Sequence, residues 1–174
     1  MKRVFTSLIA ALALSAQLAS ADPSLEYQVK AVCVLNAARF VSWPASAFAD
    51  SDAPLVIGIL GDNPFGSILQ DAVQGATVRQ RRIVVRRVGL AEAANCHIVF
   101  VSRPERDRLP AIFQTIGDSS VLTISEIDRF VENGGTVGLA LEHGKIRFEV
   151  KQEAASRARL KIESQFLLLA RSTK

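Results

Sequence analysis

The chain has 174 residues, 49% of them hydrophobic, with 21 Lys+Arg against 17 Asp+Glu. Lys2 and Arg3 fall in an expected leader, so 19 basic residues face 17 acidic ones in the remainder. So small an excess excludes the broad basic footprint of a nucleic-acid binder.

The leader comes first in chain order. Met1-Lys2-Arg3 is a basic start, Val4 to about Ala13 an apolar run, and Ala19-Ser20-Ala21 a small-residue cleavage signal. The apolar run is too short to span a membrane, which takes ~20 residues. Cleavage after Ala21 leaves 153 residues, the size of one domain with a full core, in an oxidising space outside the cytoplasm.

Leu25 to Val41 predicts a helix capped by Ser24. Its expected stripe is Leu25, Val29, Val32, Cys33, Asn36 and Phe40, and Trp43-Pro44 stops it. Leu55 to Leu60 is a continuous apolar run and predicts a strand buried on both faces. Asn63 caps a helix expected from Pro64 to about Val73. Strands follow at Ile83–Val85 and Cys96–Val101, then a helix at Pro104–Ile116 and a strand at Val121–Ile124. Ser125 with Asp128 resembles a capping box opening a short helix, broken at Gly134-Gly135.

Thr136–Leu141 and Lys145–Val150 predict a hairpin across Glu142-His-Gly-Lys145. Pairing Leu141 with Ile146, Leu139 with Phe148 and Val137 with Val150 makes one face apolar. Gly138 and Ala140 then share the other face with Arg147 and Glu149. That face is either a partner-binding surface or is covered by one of the chain's own helices. The tail from Gln152 to Ala170 is expected to be helical, with a break near Leu160. Alternating strands and helices followed by a hairpin predict a single-domain α/β fold over residues 22–174. It is a mixed sheet flanked by helices, with an antiparallel C-terminal hairpin.

The catalytic inventory is thin. The two histidines are His97, in a strand pattern, and His143, in the hairpin turn, and neither belongs to a metalloprotease or serine-elbow motif. Cys96 and His97 are adjacent on a strand and point to opposite faces, so they do not form a nucleophile pair. No cofactor or metal is expected. Cys33 and Cys96 fit either one bridge or two buried thiols; a bridge requires Cα atoms within about 7 Å. Gly61-Asp62-Asn63-Pro64-Phe65-Gly66 follows a strand and opens a helix. It reads as a tight turn, and alternatively as a ligand turn built from Gly61, Asp62, Asn63 and Gly66.

Six segments taken together resemble the YfiR family of small periplasmic proteins. They are Glu26–Ala31 with Asn36, Phe40 and Trp43-Pro44; Leu60–Gly66; Cys96–Ser102; Gly134-Gly135; Arg147–Val150; and Leu160–Gln165 with Leu167 and Leu169-Ala170. The resemblance implies a non-enzymatic, exported α/β regulator. It would bind the periplasmic sensor domain of an inner-membrane diguanylate cyclase and hold it inactive, lowering cyclic di-GMP and biofilm formation. It also implies a capacity to form homodimers. Relatives often carry a first-strand cysteine able to bridge to the one at Cys96; here Val56-Ile57-Gly58-Ile59 has none. The alternative is a periplasmic small-ligand module that feeds a sensor kinase or receptor through the Gly61–Gly66 turn.

Overall fold

The structure, a computed structural model, describes residues 23–170; the expected leader lies outside them. Helix α1 spans Pro23–Phe40 and runs into a two-residue strand, β1 (Val41–Ser42). Next come β2 (Leu55–Leu60), α2 (Ile68–Val73), β3 (Thr77–Val78), β4 (Arg81–Val88) and β5 (Ile98–Val101). Helix α3 (Leu109–Ile116), β6 (Leu122–Ser125), β7 (Val137–Glu142) and β8 (Lys145–Val150) follow. The chain closes with α4 (Gln152–Arg157), β9 (Lys161–Ile162) and α5 (Ser164–Leu169).

Seven strands form one sheet in the order β3-β4-β2-β5-β6-β7-β8, and β1 pairs with β9 in a separate two-stranded sheet. The β4-β2-β5-β6-β7 portion is parallel, and both edge pairs are antiparallel. This is the mixed α/β sheet with a C-terminal hairpin that the pattern predicts. Side chains alternate along each strand, so the sheet feeds two cores. Ile57, Ile59, Ile98, Phe100, Leu122 and Ile124 pack beneath α1, α2 and α5. Val99 and Val101 face the opposite way, toward Leu109, Ile112 and Phe130.

The structure corrects several boundaries. The described part of helix α1 already includes Pro23, so Ser24 lies inside the helix rather than capping it. Its inward face is Lys30, Ala31, Val34, Ala37 and Ala38, while Leu25, Val29 and Val32 are exposed. The helix is apolar nearly all round, so periodicity could not choose a side. The alanine face wins because small side chains let the helix approach the sheet closely.

Helix α2 begins at Ile68 rather than Pro64, because Gly66 takes a left-handed φ of +57° and interrupts the helical path. Pro104–Ile116 divides into a 3-10 segment, Arg103–Arg108, and α3. Pro110 has no N–H to continue the ladder at that joint. After Ser125 there is a buried turn instead of a helix. The Ser125 hydroxyl accepts from the Ile127 N–H, Asp128 pairs outward with Arg106 at 2.8 Å, and Arg129 (φ +59°) leaves the helical region. The tail is two short helices around β9, and the break falls at Arg159, whose φ is +57°.

Candidate functional site

The β7–β8 hairpin has the register expected from its alternation: Leu141 opposite Ile146, Leu139 opposite Phe148, Val137 opposite Val150. On the second face Gly138 lies opposite Glu149 and Ala140 opposite Arg147. The turn at residues 127–134 rises beside them. A Cβ at Gly138 would lie 3.0 Å from Glu149 Oε1 and 3.5 Å from Val131 Cγ1, so the turn and Glu149 bury that end. Ala140 and Arg147 remain exposed. The two readings of this face therefore divide it: the chain covers Gly138 itself and leaves the hairpin end open. The result is a groove of about 160 Å³ between the turn and the hairpin. Its walls carry Asp128, Arg129, Glu142, Arg147 and Glu149, charges of both signs over an apolar floor.

The Gly61–Gly66 turn is bonded to itself. Asn63 Oδ1 accepts from the Phe65 N–H at 3.0 Å, and Asn63 Nδ2 donates to the Gly66 carbonyl at 2.8 Å. Arg87 donates to the Gly61 carbonyl at 3.2 Å, and its guanidinium stands 4.0 Å from Asp62. Beside this turn, the sheet order makes β2 and β5 the strands from which connections run in opposite directions, the place where open α/β sheets take ligands. Here the chain's own side chains occupy it. Ser102 donates to the Leu60 carbonyl at 2.9 Å, and Glu105 lies against Gly61.

The same edge of the sheet holds a charged cluster that sequence reasoning missed. Lys30 and Glu126 have side chains only 1% and 2% exposed, and they form an ion pair. Lys30 also pairs with Glu26 one helical turn earlier, and Arg103 reaches Glu126 at 3.4 Å. The Tyr27 hydroxyl donates to Glu126 at 3.1 Å. Burial, then the adjacent Glu126 carboxylate, pushes the Tyr27 pKa up to about 12. The only sequence signal is the Glu26–Lys30 spacing of four, which normally marks an exposed helix face. Nothing local announces Glu126, 96 residues away. The cluster pins α1 to the end of β6.

His97 has a structural task. Its Nδ1 accepts the Val56 N–H at 3.0 Å, and its Nε2 lies 3.0 Å from the Ala47 carbonyl, which assigns the proton to Nε2. Phe48 stacks on the ring at 4.3 Å between centroids, and Arg81 lies over the far side of Phe48. Burial is the main cause of a lowered His97 pKa; the Ala47 carbonyl opposes it and Arg81 reinforces it. Because the folded value lies below the ordinary 6.5, the stability that neutral His97 confers is complete above 6.5 and is lost as pH falls through the folded value. The urea midpoint is expected to fall between about pH 7 and about pH 5.5. That fall should shrink in His97→Gln; an equal fall in the variant would show that other groups carry it.

Cys33 and Cys96 are free thiols. Cys33 packs into the core beneath α1 and Cys96 into the core on the opposite face of the sheet, so the candidate bridge between them is not formed. Burial raises the pKa of both thiols, which makes them poor nucleophiles. The β2 residue over Cys96 is Gly58, where a Cβ would lie 2.7 Å from the sulfur. Among the described residues no cluster of three His, Cys, Asp or Glu is placed to hold a metal ion. None of the described helices is long and apolar enough to cross a membrane.

A family model described as YfiR/HmsC-like matches residues 27–171. The chain belongs to the YfiR/HmsC-like family. No curated protein matches it. The match runs from Tyr27 in α1 past the end of α5, so the YfiR/HmsC-like unit includes the Lys30–Glu126 cluster, the Gly61–Gly66 turn and the hairpin groove. The YfiR/HmsC-like family is regulatory rather than catalytic. In this chain His97 bonds the Val56 backbone and Cys96 packs in the second core.

Proposed function

We propose that the mature chain, released from its leader after Ala21, is a periplasmic repressor. It binds the periplasmic domain of an inner-membrane signalling protein, a diguanylate cyclase, and lowers cyclic di-GMP and biofilm formation. The observation that carries this reading is the family match along nearly the whole described chain. The hairpin groove supports the site assignment. It is open, it offers charges of both signs to fix register, and one of its walls stands on a paired hairpin while the other is the turn at residues 127–134. The ligand-module alternative gains nothing from the Gly61–Gly66 turn, whose Asn63 side chain is bonded within the turn.

Deleting the gene is expected to raise cyclic di-GMP, and the wild-type chain to bring it back down. Ala140 is exposed on the groove floor, so Ala140→Arg fills the groove without touching the core. The variant should melt within a few degrees of wild type, since surface changes stay within about 0.5 kcal/mol, yet fail to repress. Unchanged cyclic di-GMP in the deletion strain would sink the repressor reading. Full repression by Ala140→Arg would move the partner surface elsewhere.

A further inference from the structure

Strand β4 reads Arg81-Arg82-Ile83-Val84-Val85-Arg86-Arg87-Val88, four arginines with no acidic residue among them. It pairs with β2 from Ile83 to Val88, but on its other side β3 covers only Arg81 and Arg82. The His97 N–H donates to the Val56 carbonyl and the Ser102 N–H to the Leu60 carbonyl, so the even-numbered residues of β2 serve β5 and the odd-numbered ones serve β4. In a parallel ladder Ile57 then bonds to Val84 and Arg86, the residues on either side of its partner Val85. The N–H and C=O groups of Val85 and Arg87 therefore point away from β2, past the end of β3. No described residue hydrogen-bonds them. An edge of this kind is a template for another strand.

The two faces of this edge differ. On one face, helix α2 stands beside it across a groove of about 480 Å³. Ile59, Leu69 and Val85 are its apolar part, Ser67 and Gln70 line it toward the helix, and Arg87 stands at its rim. Alternation puts Arg82, Val84 and Arg86 on the other face. Both of these arginines are exposed, and among the described residues neither forms an ion pair. Arg87, by contrast, has Asp62 at 4.0 Å, and Arg79 has Glu163 at 3.0 Å.

We propose that β4 accepts an added strand from another protein, an extended segment in which acidic residues flank an apolar one. The geometry selects that pattern. A side chain placed beside Val85 enters the groove under α2, where the surroundings are apolar. The next position one way lies beside Arg86. The next position the other way lies beside Val84, diagonally within reach of both Arg82 and Arg86. Opposite charges across a strand pair are favourable, so both of these positions call for a carboxylate. The open N–H and C=O groups bind the segment's backbone, and the groove and arginines choose its side chains, as in other cases of strand addition between an edge strand and a helix. A second copy of β4 does not fit, because it brings four more arginines and no carboxylate.

This surface can be tested apart from the repressor reading, whose groove lies on the hairpin at the other end of the sheet. The probe is the synthetic peptide Thr-Glu-Val-Glu-Thr, whose pattern is the same in both chain directions. Titrated into the purified mature chain, it should shift the NMR amide signals of Val85 and Arg87 and leave those of the hairpin in place. Arg82→Glu/Arg86→Glu should keep its fold, since both side chains are exposed, and should bind the peptide about tenfold more weakly or worse, because attractions become repulsions. Thr-Lys-Val-Lys-Thr should bind that variant and not the wild type. The acidic peptide N-methylated along its backbone should not bind, because it has lost its strand donors. A peptide that leaves Val85 and Arg87 unmoved overturns the proposal and makes the arginines guards against pairing at a sheet edge. Equal binding by the N-methylated peptide also overturns it, since charge attraction alone would then suffice. Undiminished binding by the double variant does the same.

Discussion

Replacing Lys30 with Met is expected to lower the unfolding free energy by about 3–5 kcal/mol, the usual cost of removing one partner from a buried ion pair. The ammonium is 1% exposed and lies between Glu26 and Glu126, with the Tyr27 ring 4.7 Å away. Its removal leaves the Glu126 carboxylate at the bottom of the contact, with the Tyr27 hydroxyl and the exposed Arg103 to answer it among the described residues. Neutralising the second partner separates the net worth of the pair from the cost of stranding a charge. Lys30→Met/Glu126→Gln should recover more than half of the loss, because replacing a whole buried pair is often close to neutral. Urea unfolding with an unchanged slope is the measurement. A single variant within about 1 kcal/mol of wild type would mean that α1 is not held by this cluster.

Gly61→Ala is the second large effect. Gly61 has a φ of +89°, and a Cβ there would sit 2.3 Å from Ser102 Oγ and 2.8 Å from Glu105 Cγ. Moving either neighbour breaks a contact that it makes. Ser102 is 2% exposed and bonded to the Leu60 carbonyl, and Glu105 is held by Arg108 at 2.9 Å. Overpacking of about 1–3 kcal/mol and left-handed backbone strain of about 1–2 kcal/mol combine to roughly 2–5 kcal/mol. Gly66→Ala is the control. Its φ is +57°, but a Cβ meets nothing within 4 Å, so only the backbone component of about 1–2 kcal/mol applies. Equal losses at the two positions would show that the close approach to Ser102 is unimportant.

The parts of this fold that can be read from sequence are those in which one pattern permits one answer. The run Leu55–Leu60 is apolar at every position except Gly58, so it had to be a strand covered on both sides. The hairpin alternates with a period of two around His143-Gly144, and a slip of one residue would have turned Phe148 and Val150 to the surface; its register followed residue by residue. Helix α1 fails the same test for the opposite reason. Apolar residues lie on all its sides, and the sheet it meets makes the choice between Leu25–Val29–Val32 and Ala31–Val34–Ala38. The Lys30–Glu126 pair is invisible in sequence because it joins residues brought together only by the finished topology. The groove is half legible. Alternation places the four hairpin residues, but the Ser125–Asp128 spacing favours a helix where the chain instead makes the turn that buries Gly138.

The pairing of Val41 with Ile162 and Ser42 with Lys161 bears on how the chain reaches this state. The strands it joins are about 120 residues apart, so in the exported chain proposed above the amino-terminal one leaves the channel long before its mate. Lys30 waits almost as long for Glu126. Until those later segments arrive, Lys30 has only Glu26 of its own helix beside it, and Phe40 lacks the Phe166 ring that packs on it. Contacts this distant in sequence form slowly. Such a chain is assembled after translocation, not during it, and in that interval its outermost helix is the segment most exposed to proteases and chaperones.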